Sequence, residues 1–214
     1  MDAPERPSRL KRDDVLRAAL DLLNEVGMDA LSTRRLAERL GVQSPTLYWH
    51  FKSKGALLDA MSEQVMLGSR ARLEPGPDQA WQDWLMADGL SFRRALLAYR
   101  DGARLHAGTR PGLAHYDAIE ARLRLLAAAG FEPAAATRLL MSIGRFVIGW
   151  VLEEQSAQQP DAPPSARATG PDAAQHPLLA AGWAATLGGE AEALFEGALR
   201  LLVDGAQAQL ARRG

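Results

Sequence analysis

Hydrophobic positions recur at three- and four-residue spacing along most of this chain, and no segment shows the two-residue alternation of a half-buried strand. From Arg9 to Val26, the residues Val15, Ala18, Ala19, Leu22, Leu23 and Val26 share one helical face. Gly27 is expected to end that helix, because glycine accepts the left-handed backbone of a C-cap. Ser32 or Thr33 then caps a second helix to about Leu40, with Leu36, Ala37 and Leu40 turned inward. Gly41-Val42-Gln43 reads as a tight turn. Ser44 is placed as the cap of a short third helix, with Pro45 in its first turn, where a missing N–H costs nothing. That helix ends near Phe51, and a fourth, over 53–68, is long enough to connect two domains.

The EPGPD segment at 74–78 is a break. Helical periodicity resumes over 81–99, 113–129, 133–158, 178–187 and 190–212. Residues 101–111 are less regular, residues 1–8 read as a frayed tail, and residues 159–177 read as a loop. The fold class is therefore all-α. A three-helix helix-turn-helix domain occupies 1–52 and a larger helical domain occupies 53–214, joined by the helix 53–68.

Composition narrows the chemistry. The formal net charge is −1 over 214 residues, so any affinity for nucleic acid comes from a local basic face. With no cysteine, thiolate metal sites and cysteine nucleophiles are excluded. The charged N-terminus is not expected to act as a signal peptide. No uninterrupted apolar run approaches the roughly 18 residues of a membrane span. A cytoplasmic protein without a membrane partner is expected.

The densest functional pattern is LSTRRLAERLGVQSPTLYWHFKSK at 31–54. Arg34, Arg35, Arg39, Lys52 and Lys54 face only Glu38 as opposing charge. A basic helix-turn-helix with exposed aromatics docks on DNA, with the N-terminal end of its second helix in the major groove. Gln43, Ser44, Pro45 and Thr46 stand at that end, in reach of base edges. Tyr48, Trp49 and His50 offer aromatic bodies to sugar and thymine methyl and polar tips to phosphate. Tyr48 has the alternative of serving as core. Lys54 opens the fourth helix, whose N-terminus favours phosphate. No nucleophile elbow and no glycine-rich phosphate loop is present, so an enzyme is not expected.

The run LSTRRLAERLGVQSPTLYWHFKSKGALLDAM resembles the tetracycline repressor family of transcriptional regulators. The similarity continues through residues 81–112, YDAIEARL at 116–123 and GWVLEEQ at 149–155, and so covers nearly the whole chain. The resemblance implies a homodimer on double-stranded operator DNA, released by a small-molecule inducer bound in the second domain. The matching DNA contacts are Thr33, Arg34, Ser44, Pro45, Thr46, Tyr48, Trp49, His50 and Lys54. Dimerisation falls to the helices at about 133–158 and 190–212, whose apolar residues alternatively fill only their own subunit.

The family's tetracycline binders hold a magnesium-chelated drug with a histidine, and through water with a threonine and a glutamate of the partner subunit. The matching positions are His106, Thr109 and Glu153, with His106 and Glu153 serving a metal only if the ligand is chelated to one. No cofactor is obligatory on this reading, and magnesium arrives with the ligand. Phe92, Arg110 and Pro111 match further pocket positions. Four positions depart from the pattern: Arg70, Asp88, Arg122 and Arg145 replace neutral polar groups. An unpaired buried charge is costly, so Asp88 is expected to pair with Arg70 or Arg122 and to shape the pocket for a ligand other than tetracycline. The alternatives are retained tetracycline binding with altered affinity and, for the arginines, Arg145 included, a position in solvent at the pocket mouth. Inducer bound beside 101–111 is expected to bend that segment at Gly102, Gly108 and Pro111 and so swing the helix 53–68 that carries the head. A regulator that activates, or that ignores small molecules, is the alternative.

Overall fold

The computed structural model describes residues 10–70, 76, 79–109, 112, 115–158, 170–187 and 190–212. The expected tail at 1–8, most of the 74–78 break, Arg110, Pro111 and the first eleven residues of the expected loop, 159–169, lie outside the described residues. Among the described residues every regular element is a helix. The head consists of α1 (Arg12–Ala30), α2 (Thr33–Leu40) and α3 (Ser44–Tyr48). Then α4 (Lys54–Arg70) leads into a body of α5 (Trp81–Leu97), α6 (Gly102–His106), α7 (Tyr116–Ala128), α8 (Pro133–Ala157), α9 (Pro177–Leu187) and α10 (Ala191–Ala211).

In the head, Val15, Leu16, Ala19 and Leu23 of α1 are buried together with Leu36 and Ala37 of α2 and Leu47 of α3. Each such leucine stabilises the fold by about 1.5–3 kcal/mol relative to exposure. Ser32 caps α2, its Oγ accepting from the Arg35 amide at 3.3 Å. Gly41 closes the helix with φ 65°, and Val42 N–H returns to the Ala37 carbonyl at 3.0 Å. This is the left-handed helix end that a side chain with a Cβ resists.

Two local expectations need correction. Gly27 interrupts α1 rather than ending it: at φ 74°, ψ 173° it breaks the helix, and Met28–Ala30 add a further turn. Ser44 is the first residue inside α3, not its cap, because Gln43 holds the extended cap conformation. Both deviations are one turn or less, the scale at which local sequence leaves helix ends open.

In the body, α5 is central and packs against α4, α6, α8 and α10. Its close approach to α10 occurs at Gly89, where a Cβ would lie 2.5 Å from Leu199 Cδ2. The irregular 101–111 segment contains a helical turn, α6, packed on α4, α5 and α8. Gly102 is buried there, and a Cβ would stand 2.1 Å from the Leu96 carbonyl oxygen. Backbone crowding therefore requires glycine at this position.

By length and mean hydropathy (1.4), α8 also passes for a membrane-crossing helix, although it holds no uninterrupted apolar run of that length. Arg138, Arg145, Glu153 and Glu154 interrupt it. Only Ala136, Ile143, Val147 and Val151 of α8 are buried in the chain. Met141 and Leu152 of α8 and Leu201 of α10 are exposed, as are Leu178, Leu179 and Trp183 of α9.

Candidate functional site

The head presents its polar and aromatic side chains on one end. Only Leu47 of α3 is buried. Its neighbours Tyr48 and Trp49 are 51% and 89% exposed, so Tyr48 is not core. Gln43, Pro45, Arg34 and Lys54 are exposed as well, while Thr33, Ser44, Thr46 and His50 are half-buried. Two of the basic groups also have partners within the chain. Arg34 Nε meets Glu38 Oε1 at 2.9 Å, and Lys54 Nζ donates to the Leu31 carbonyl at 2.8 Å. Lys54 thus ties the start of α4 to the α1–α2 link. Arg39 pairs with Glu25 at 2.6 Å, and that hydrogen bond holds the Glu25 carboxyl below its ordinary range.

In the body, the sequence-predicted His106, Thr109 and Phe92 come together with a residue that sequence reasoning missed, Ser62 of α4. Ser62 Oγ lies 2.8 Å from His106 Nδ1 and 3.3 Å from Thr109 Oγ1. Thr109 Oγ1 donates to the His106 carbonyl at 2.8 Å. Phe92 meets the His106 ring edge-on at 5.2 Å between centroids. Nothing local marks Ser62, which sits in the ordinary helical run ALLDAMSEQVM.

Asp88 and Arg122 form a second cluster. They pair at 3.5 Å with side-chain exposures of 4% and 12%, and Arg122 lies over the Trp84 ring at 5.8 Å. The charged substitutions at these two positions thus answer one another inside the body. Arg70 belongs to α4, but its side chain lies outside the described residues. Arg145 and Glu153 are exposed on α8, on the face this chain leaves uncovered, so neither joins His106 within one subunit. Among the described residues no three His, Asp or Glu side chains converge as a metal shell.

Head and body are clasped at the α5–α6 turn. Asp101 is the one non-glycine residue among those described with positive φ, 57°, and it is buried. Its Oδ2 accepts from Met28 N–H at 2.7 Å, an amide just beyond the break at Gly27. Arg100 N–H donates to Asn24 Oδ1 at 2.8 Å. Arg104 grips Asp29 with two bonds of 2.6 and 3.0 Å, holding that carboxyl below its ordinary value. From the other side, Gln155 of α8 accepts from Ala103 N–H and donates to the Leu96 and Tyr99 carbonyls. The clasp and the His106 cluster thus share one short helix. A cleft of about 570 Å³ also opens between α1, α4 and α5, lined by Leu16, Leu20, Val65, Ala95 and Tyr99 among others. It touches none of His106, Thr109, Phe92 and Asp88, and converging polar chemistry, rather than size, marks the candidate site.

A basic helix-turn-helix on an all-helical body with an internal polar site defines a DNA-binding regulator with a sensor domain. Residues 15–61 match the model of bacterial regulatory proteins of the tetR family, and residues 74–210 match the tetracycline repressor-like C-terminal domain. The chain belongs to the tetracycline repressor family. It is 48% identical over 199 residues to the class A tetracycline repressor from transposon 1721 of Escherichia coli, covering 92% of this chain and 91% of that protein. The structure of the class A repressor in complex with 5a,6-anhydrotetracycline and magnesium superposes with a TM-score of 0.71 at 44% identity, covering 93% and 99% of the two chains. The Streptomyces coelicolor family member ActR, in complex with (S)-DNPA, gives 0.78 at 28% identity over 95% and 100%. The fold is therefore shared by complexes with chemically different ligands.

Proposed function

We propose that this chain is a repressor that occupies a palindromic operator as a homodimer in the cytoplasm and is released by a small molecule bound between Asp88–Arg122 and His106. In this reading the DNA-binding domain is 1–52 and the sensor and dimerisation domain 53–214. The heads meet two half-sites about 34 Å apart. Arg34 and Lys54 bind phosphate, Gln43 to Thr46 read bases, and Tyr48, Trp49 and His50 line the groove wall. The exposed apolar residues of α8 and α10 supply the interface, which also accounts for the membrane-like composition of α8.

The inducer is a molecule other than tetracycline. The buried Asp88–Arg122 pair carries this conclusion, because it presents opposite charges where tetracycline binders of the family present neutral hydrogen-bonding groups. A ligand with a charged or zwitterionic edge matches that pair. At the other end, the residues present suit a chelated magnesium: the His106 ring is held through Nδ1, the Thr109 hydroxyl lies beside it, and Phe92 lines the wall. Such an ion supplies a Lewis-acidic point of attachment for ligand oxygens. His106 would hold it directly and Thr109 through water, with Glu153 reaching from a partner subunit. A ligand seated at His106 pulls on α6, and α6 is joined to the head through Asp101 and Arg104 and to α4 through Ser62. A preference of a few kcal/mol for the displaced state is enough to empty the operator.

Tetracycline itself is the second reading, favoured by the retained His106, Thr109 and Phe92 and by the similarity to the class A repressor. A thermal-shift titration with tetracycline plus magnesium, and with magnesium alone, separates the two. Bound ligand raises the melting temperature by mass action, about 2.7 kcal/mol at a hundredfold excess over Kd. No drug-dependent shift is expected. A saturable, magnesium-dependent shift overturns the reading of a different ligand and establishes a tetracycline sensor.

A further inference from the structure

The described arginines of α1 and α2 divide by the partner each one meets. Arg17, Arg34 and Arg39 meet the carboxylates of Asp14, Glu38 and Glu25, and Arg35 donates to the Ala30 carbonyl. Arg12, in the first turn of α1, meets a ring instead. Its guanidinium carbon lies over Phe51, 4.9 Å from the ring centroid. Among the described residues no carboxylate or carbonyl accepts from its N–H groups. A ring face attracts the cation and leaves the N–H fork without the oxygen acceptors it is shaped for. Arg12 is exposed, whereas the ring beneath it is only 6% exposed. Stacking fixes the long side chain in advance, so less freedom is lost when the guanidinium takes up an anion.

The place of the stack says which anion that is. Phe51 follows Trp49 by two residues, and its amide returns to the Leu47 carbonyl at 2.9 Å. The ring and Arg12 therefore stand at the end of α3 opposite Gln43–Thr46, beside the exposed indole of Trp49. Lys52 comes next in the chain and is exposed, with no carboxylate partner among the described residues. The acidic neighbours of Arg12 are turned elsewhere: Asp13 lines the cleft against α4 and α5, and Asp14 pairs with Arg17. We propose that Arg12 is a further DNA contact, with Phe51 positioning its guanidinium to take a backbone phosphate beside the groove that α3 enters. Unlike Arg34, which must leave Glu38, Arg12 breaks no ion pair to do so. It adds affinity and no base specificity. The proposal rests on the DNA-binding reading of the head.

The test uses the full chain and two probes: a duplex that the wild type selects from a random pool, and a mixed-sequence duplex of the same length. Affinity for each is followed against salt concentration by fluorescence anisotropy. Arg12→Gln keeps a planar group for the ring and removes the charge. Because Arg12 is exposed and makes no ion pair, the variant is expected to melt as the wild type does. Its slope of log K against log salt is expected to be shallower by about 0.9 for each phosphate lost, about 1.8 for the two heads of a dimer. Both duplexes should weaken by the same factor, so that the ratio of their affinities keeps its wild-type value. Arg12→Lys is expected to keep the wild-type slope at lower affinity, since lysine carries the charge without the planar fork that the ring holds. A side chain that only covers Phe51 would leave the slope untouched. A wild-type slope in Arg12→Gln, or a loss confined to the selected duplex, overturns the proposal and leaves the head a DNA binder without it. A wild type that binds neither duplex overturns the DNA-binding reading, and the proposal with it.

Discussion

Head and body use arginine in opposite ways. The Arg34 side chain is 86% exposed and meets one carboxylate that is also exposed, Glu38. In the body, Arg93 is buried, grips Glu154 with bonds of 2.7 and 3.0 Å, reaches Glu192 at 3.7 Å and lies over the Phe195 ring. An exposed pair contributes at most about 1 kcal/mol and exchanges its partner readily, which suits the proposed role of leaving glutamate for phosphate. A buried pair is expensive to break, which suits a group that must hold three helices in register. The same residue type thus serves reversible contact in one domain and fixed geometry in the other.

The sharpest way to break this comparison is to remove one arginine from each side. Arg93→Ala strands the half-buried Glu154 carboxylate and is expected to cost about 3–5 kcal/mol in chemical denaturation. Arg34→Ala is expected to change stability by less than about 0.5 kcal/mol while weakening operator binding and reducing its salt dependence. Equal stability losses would dissolve the contrast.

A smaller effect is expected at the Asp88–Arg122 pair, proposed to face the ligand rather than the scaffold. Asp88→Asn combined with Arg122→Gln keeps the shapes and removes both charges. The double variant is expected to gain at least tenfold in affinity for tetracycline with magnesium, read by calorimetry, with each single variant less stable than the double because it leaves one buried charge alone. A double variant that binds no better than the wild type shows that the charges are not what sets ligand choice.

The contrast also explains what the sequence made legible. Helix-turn-helix geometry is local: Ser32, Gly41 and Pro45 act on their own turns, so the head was readable to within one residue at Ser44 and one turn at Gly27. Exposure of Trp49 followed from the same spacing. The expected pairing of Asp88 was open between Arg70 and Arg122, because helix faces are predictable but contacts between separate helices are not. Ser62, Asp101 and Arg93 were missed for that reason. Each acts on partners at least 44 positions away in the chain, and nothing in its own neighbourhood distinguishes it. The crowding at Gly102 was missed for a related reason: a glycine needed to clear the Leu96 carbonyl looks, in sequence, like a glycine needed to bend.

Smaller again in stability is Trp49→Ala. The ring buries almost nothing in the free protein, so a change within about 0.5 kcal/mol is expected on unfolding. Operator affinity should fall by roughly 1–3 kcal/mol, measured by fluorescence anisotropy at fixed salt. A large loss of stability would place Trp49 in the fold rather than on DNA.

The smallest effect tests the seam between the two regions. The hydrogen bonds from Arg104 hold the Asp29 carboxyl below its ordinary value. A carboxylate with a depressed folded-state pKa contributes its stabilisation above the ordinary value and loses it as pH falls through the depressed one. The clasp should therefore be indifferent to pH between about 5 and 8 and slacken only in acid, below the usual aspartate range of about 3.9. Hydrogen exchange at the Met28 amide, which Asp101 holds beside this pair, reports the opening once corrected for the intrinsic pH dependence of exchange. Wild type should be better protected than Arg104→Ala at pH 5, and the two should converge as the pH is lowered toward 3. Because Asp29 is exposed, the difference at pH 5 should be modest, while the inducer concentration needed to clear the operator should shift in Arg104→Ala if the clasp transmits the signal. A variant with wild-type protection and wild-type induction would show that the Arg104–Asp29 pair neither holds the clasp nor transmits the signal, leaving α4 and the Arg100 and Asp101 bonds as the links between sensor and head.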